Sequence, residues 1–180
     1  MTRALACAAL AACWTGPVAP ARPEPSAQPA HPVIDLDVKM ERTGCFGRCP
    51  TYSVEIHHDG TVVWHGIANV ETIGTATSRV SPAELQRLAR EIHAVHFFEL
   101  DENGHMPVQP ECVRTGTTTT CSLSSVTICS DTPSAIVSVR TSRRTHTATD
   151  DHCEERELLE PLEQLIDHIA GSAARIGRYR

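Results

Sequence analysis

The run Thr51-Tyr52-Ser53-Val54-Glu55-Ile56-His57-His58-Asp59-Gly60-Thr61-Val62-Val63-Trp64-His65-Gly66-Ile67 decides the fold. Two segments rich in β-formers, 51–57 and 61–67, flank Asp59-Gly60, a pair suited to the positive-φ geometry of a hairpin turn. Burial fixes the register. A two-residue Asp59-Gly60 loop would pair Ile56 with Val63 and Val54 with His65. A three-residue His58-Asp59-Gly60 loop, with Gly60 left-handed, pairs Ile56 with Val62 and Val54 with Trp64. Only the second gathers Tyr52, Val54, Ile56, Val62 and Trp64 on one face. A one-residue slip inverts every side chain, so the three-residue loop is predicted. His57 and His65 then lie on the polar face.

Immediately before this hairpin stands Cys45-Phe46-Gly47-Arg48-Cys49-Pro50. Its spacing fits a structural disulfide, a redox dithiol or half of a metal site. A reactive dithiol needs its thiolate stabilised by a helix N-terminus or by nearby cations. The motif is similar to that of thioredoxin-like copper chaperones of the Sco type, which set Cys-x-x-x-Cys-Pro between a strand and a helix and add a distant histidine. Here a strand follows Pro50, and Arg48 is the one cation inside the motif. The leading reading is a structural disulfide. The alternative is a thiol-redox or copper-handling role for Cys45 and Cys49, joined by His57 or His65.

Working outward, residues 33–40 alternate Ile34, Leu36, Val38 and Met40 against Asp35, Asp37 and Lys39, a half-buried strand. Another strand is expected over 69–79. Ser81-Pro82-Ala83-Glu84 then opens a helix, with Ser81 as N-cap, Pro82 in the first turn and Glu84 completing a capping box. Leu85, Leu88, Ile92 and Val95 form its apolar stripe, and Phe97 and Phe98 close the element as core. Residues 101–124 read as a long irregular loop restrained by Cys112 and Cys121. Strands follow at 125–129, 135–141 and 145–149. A last helix carries Leu158, Leu159, Leu162, Leu165, Ile166 and Ile169, with Pro161 in its first turn and Gly171 as its stop. The order predicts an α+β domain: a mainly antiparallel sheet of hairpins, two helices packed on one face, stapled by disulfides.

The N-terminal part reads as export machinery. Residues 4–12 form a short apolar stretch behind Arg3, too short to span a bilayer. Leu10-Ala11-Ala12-Cys13 resembles a lipoprotein lipobox, which makes Cys13 the lipidation site; cleavage after Ala19-Pro20-Ala21 is the other route. Six prolines between residues 16 and 32 make a semi-rigid spacer. The expected division is a lipoprotein-type signal peptide at 1–12, a Pro-rich tether at 13–32 and a single domain at 33–180. Of eight cysteines, Cys7 leaves with the signal and Cys13 carries lipid. Cys45, Cys49, Cys112, Cys121, Cys129 and Cys153 remain as disulfide candidates in an oxidising compartment. Cys112–Cys121 would staple the long loop, and Cys129 with Cys153 could tie the last strands to the final helix. The net charge of −6 argues against nucleic acid as a partner.

Recognisable catalytic patterns are missing. There is no G-x-S-x-G, no H-E-x-x-H and no phosphate-cradling glycine loop. His93 and His96 lie three apart on a helix and could share a ligand, but no carboxylate–histidine spacing indicates a metal. The cysteine spacings match no familiar zinc pattern. Asp131 reads as a turn residue, and Glu154, Glu155, Glu157 and Glu160 read as a solvated face near a helix N-terminus. Neither catalytic residue, cofactor nor metal is expected. A hydrolase built in the 101–124 loop would require a deep pocket there.

The residues Cys45-Phe46-Gly47-Arg48-Cys49-Pro50-Thr51-Tyr52, followed by Asp59-Gly60-Thr61-Val62, resemble the bacterial domain-of-unknown-function family 6438. Gly66, Gly74, the Ser-Pro-x-x-Leu helix, Phe97-Phe98 and the terminal Leu-x-x-Leu-Ile-Asp helix fit as well. The resemblance spans about residues 34–170 and departs around 108–124, whose two cysteines look like an insertion. It implies an exported, often lipid-anchored α+β domain and supplies no established activity. The expectation is a lipid-anchored protein of the periplasm or cell envelope. It would touch the membrane through its anchor and act as a non-catalytic binding module for an envelope protein or small ligand.

Overall fold

The computed structural model describes residues 34–107, 110–122, 131–152 and 158–179. The chain runs β1 (Asp37–Arg42), β2 (Thr51–Ile56), β3 (Thr61–Ala68), β4 (Gly74–Arg79), α1 (Pro82–Ala94) and a 3-10 turn at Phe97–Glu99. It continues through β5 (Glu111–Thr115), β6 (Thr118–Ser122), β7 (Ala135–Arg140), β8 (Thr145–Asp150), α2 (Glu160–Ala170), α3 (Ser172–Ile176) and a 3-10 turn at Gly177–Tyr179. Six strands form one sheet in the order β4-β3-β2-β1-β7-β8, with every neighbouring pair antiparallel. The fold is α+β, as the element order predicts.

The hairpin has the expected register: Ile56 faces Val62 and Val54 faces Trp64. Gly60 takes φ 84°, and a Cβ there would stand 2.8 Å from the Val80 carbonyl oxygen, so the turn requires glycine twice over. One sheet face buries Val38, Met40, Tyr52, Val54, Ile56, Val62, Trp64, Val137, Val139 and Ala148. The stripe of α1 (Leu85, Leu88, Ile92) and that of α2 (Leu162, Ile166, Ile169) complete this core. Ser81 and Glu84 form the full capping box of α1. Gly171 caps α2 at φ 68°.

Some boundaries differ from the sequence reading. The first strand starts at Asp37 and runs on to Arg42, although Leu36 already keeps the inward alternation. The strand expected over 69–79 begins only at Gly74. Asn69 has φ 54°, and the backbone turns so that Thr72 offers its carbonyl to the Trp64 indole N–H at 2.9 Å. The 101–124 stretch contains a regular hairpin, β5–β6, closed by a Gly116-Thr117 turn with Gly116 at φ 62°. Its run of consecutive threonines, 117–120, lies outside any core, so periodic burial could not announce it. Beyond Gly171 the chain resumes as α3. Phe97 is core, whereas Phe98 is half-buried beneath the Arg144 guanidinium at 3.7 Å. The strand expected at 125–129, the signal peptide, the tether, Cys13, Cys129, Cys153 and Glu154, Glu155 and Glu157 lie outside the described residues.

Candidate functional site

One end of the sheet collects the C-termini of β1, β3 and β8 and the N-termini of β2, β4 and β7. Two features meet there: a closed loop on the outside and a buried charge cluster beneath.

The loop joins β1 to β2. Cys45 and Cys49 are disulfide-bonded across it. Its flanks are held as well: Thr43 N–H donates to the Ser134 carbonyl at 2.9 Å, and the Asn69 amide donates to the Cys49 carbonyl at 3.1 Å. At the tip, Phe46 is 93% exposed, and Gly47 and Arg48 are exposed beside it. Ile67 and Ile73 are exposed apolar residues at the same end of the sheet. Ile67 is the extra residue of a β-bulge, because Thr51 pairs with Ala68 but Tyr52 pairs with Gly66. Bulges re-aim side chains where a ladder ends.

Beneath the loop, strand parity carries polar groups into the interior. Arg42 follows Val38 and Met40 inward, Asp150 follows Ala148, and Tyr52 precedes Val54. Helix α2 answers with Glu163 and Asp167, one turn apart on the same side. The Arg42 guanidinium donates Nη1 to Glu163 Oε2 at 2.6 Å and Nη2 to Asp167 Oδ2 at 3.0 Å. Tyr52 donates its hydroxyl to Asp167 Oδ1 at 2.7 Å. The Tyr52 ring stacks on Trp64 with centroids 4.5 Å apart. Gly66 makes room for that stack, because a Cβ there would collide with the Thr72 carbonyl and the Trp64 indole nitrogen. Arg42 Nη1 also lies 3.2 Å from His152 Nε2. His152 has φ 54° and donates its backbone N–H to Asp150 Oδ1 at 2.8 Å.

The electrostatics are lopsided. Glu163 and Asp167 share a single guanidinium, and Asp150 stands near Glu163 outside those two ion pairs. Glu163 is 1% exposed and Asp150 is 7% exposed, yet Glu163 Oε1 and Asp150 Oδ2 have no hydrogen-bond partner among the described residues. Burial, reinforced by the charge of Asp150, pushes the Glu163 carboxyl up to about 7, against the opposing pull of Arg42 and His152. Burial works against the Arg42 charge, but Glu163 and Asp167 outweigh it and raise its pKa. Burial and then the Asp167 charge raise that of the Tyr52 hydroxyl.

The other candidates are distributed elsewhere. Cys112 and Cys121 face one another in β5–β6 and are bonded, so the expected staple is present. His57 sits at the opposite end of β2 from Pro50, about 20 Å along the strand, and approaches Asp37 at 3.6 Å. His65 hydrogen-bonds Thr75 on the outer face at 3.2 Å. Neither joins the Cys45–Cys49 loop in a copper-type set. His93 and His96 are exposed with ring centroids 6.3 Å apart. They line a groove of about 400 Å³ with Ile34, Asp35, Phe98 and Arg144, at the far end of the sheet. Among the described residues, no helix is long and apolar enough to cross a membrane.

The profile of a known family matches residues 36–170, from the start of β1 to the end of α2. The chain belongs to the family described as domain of unknown function DUF6438. The match spans both the clamped loop and the charge cluster, so each is built from residues within the family's own limits. A search of curated proteins finds no match to this DUF6438 chain.

Proposed function

We propose that this DUF6438 protein is an exported, lipid-anchored binding module of the cell envelope, and that its recognition element is the Cys45–Cys49 loop. The observation that carries the reading is Phe46, 93% exposed at the tip of a covalently closed loop. A single exposed apolar side chain on a flexible loop needs no explanation. One held on a loop closed by a disulfide and tied by hydrogen bonds on both flanks is different. Such a loop loses little conformational entropy on binding. Aromatic residues and arginine are the side chains that anchor interfaces, and Phe46 and Arg48 stand two residues apart.

The same features disfavour the redox alternative. A disulfide that shapes a loop is used by staying closed, and Cys49 leads through Pro50 into a strand with no helix N-terminus to stabilise a thiolate. Anchoring follows from the lipobox at Cys13 and the Pro-rich tether behind it, which would present the domain to a neighbouring envelope protein or a small ligand.

Site-specific photocrosslinking in intact cells tests the reading. A benzoyl-phenylalanine at position 46 is expected to give a discrete adduct. The same probe at Val113, 66% exposed on the β5–β6 hairpin, is expected to give none. Equal labelling at both positions, or none at position 46 by protein and small-molecule readouts alike, would contradict it.

A further inference from the structure

The buried cluster brings Asp150, Glu163 and Asp167 together around one guanidinium, so its carboxylates outnumber its arginines. One donor atom from each of Asp150, His152 and Glu163 lies within 4.8 Å of one from each of the other two. They come from two elements. Asp150 ends β8, and His152, turned back by its left-handed backbone, hangs from the bond its N–H makes to Asp150 Oδ1. Glu163 projects from α2. A metal site of this kind needs deprotonated carboxylates, an imidazole nitrogen and little competition from water.

Two observations distinguish this trio from an ordinary acidic patch. Both carboxylates are more than nine-tenths buried, and each retains an oxygen with no hydrogen-bond partner among the described residues. A buried carboxylate oxygen without a partner is costly, and native structures satisfy such groups with protein, water or an ion. The local charge balance agrees. Glu163 and Asp167 already share Arg42, and Asp150 lies outside the guanidinium's two ion pairs.

We propose that Asp150, His152 and Glu163 bind a divalent first-row metal ion of the zinc or manganese type. Two carboxylate oxygens and one imidazole nitrogen form a borderline donor set that suits those ions better than calcium, which favours oxygen alone. Arg42 stays on Asp167 through Nη2, while Nη1 yields its place beside His152 Nε2 to the ion. That displacement makes the site weaker than an unopposed one. It also couples metal binding to Arg42 and, through Asp167, to Tyr52 at the base of the Cys45–Cys49 loop. The proposal stands apart from the binding role of that loop: either can fail without the other.

The test uses untagged protein with its disulfides intact, titrated calorimetrically with Mn²⁺, an ion with low thiol affinity, and separately with Zn²⁺. NMR localises the bound Mn²⁺ by paramagnetic broadening. One site is expected, with the amides around Asp150–His152 and Glu163 broadened first. Asp150→Asn should weaken binding at least tenfold, and Glu163→Gln should do the same if it folds. The pair His93→Ala/His96→Ala should leave the site unchanged. No binding at millimolar Mn²⁺ and Zn²⁺ would overturn the proposal. So would binding that a correctly folded Asp150→Asn protein retains in full, or broadening centred on surface histidines.

Discussion

Arg42 is the residue on which the buried end of the sheet depends. Its guanidinium is the common partner of Glu163 and Asp167, and removing one member of a buried ionic set leaves the others without compensation. Arg42→Met should therefore cost about 3–5 kcal/mol in chemical denaturation, far more than a rim substitution such as Arg48→Met. Glu163 sets a pH dependence of unusual sign. Its folded carboxyl titrates near 7 against an ordinary 4.5, so the native state holds the proton more tightly than the unfolded chain. The contribution is complete below about pH 4.5 and fades as pH rises through 7. In chelator-treated protein, stability should fall on the order of 3 kcal/mol between those limits. Glu163→Gln should flatten that fall, and an unchanged slope in the variant would refute the assignment. Part of this cluster is legible in the sequence. Arg42 occupies an inward position in a strand whose other inward residues, Val38 and Met40, are apolar, which is a sign of buried charge, and Asp150 shares its inward face with His146 and Ala148. Glu163 is hidden, because an acidic run just before it reads as solvated and its ion-pair partner Arg42 lies 121 residues away in the chain.

At the scale of elements, local chemistry and non-local packing contribute unequally to what can be read. The α1 capping box and the β2–β3 register were fully legible, since each rests on neighbours in sequence and one burial pattern. The turn over 69–73 was not, because it exists to bring the Thr72 carbonyl to the Trp64 indole, a tertiary bond. The β5–β6 hairpin is illegible for another reason. All its residues are exposed, so it carries no apolar alternation, and a two-stranded hairpin is marginal without help. The Cys112–Cys121 bond supplies that help between directly facing residues. Replacing both cysteines with serine should melt β5–β6, seen as loss of amide protection there, while the six-stranded sheet keeps its protection and its melting temperature. Global unfolding of the double variant would show that the hairpin supports the core after all.

For the molecule as a whole, the proposed anchor and spacer would hold the domain in one working arrangement. The proposed anchor at Cys13 predicts that Cys13→Ser abolishes incorporation of radiolabelled palmitate and moves the protein from the membrane to the soluble fraction of the envelope. Unchanged membrane retention without lipid label would refute lipidation. Within the domain, the sheet end that carries the loop also carries the charge cluster, so the proposed recognition loop stands over buried, charged groups. This placement could not be read from the motif, which names its cysteines but not what lies below them. The central claim is that Cys45–Cys49 is a permanent clamp on a binding loop. Thiol trapping followed by mass spectrometry, on protein taken directly from the cell envelope, measures this most directly. The account predicts that the Cys45–Cys49 bond is fully formed and survives mild reductant in the folded protein. A substantial reduced fraction in cells, or a mixed disulfide captured by Cys49→Ser, would contradict it.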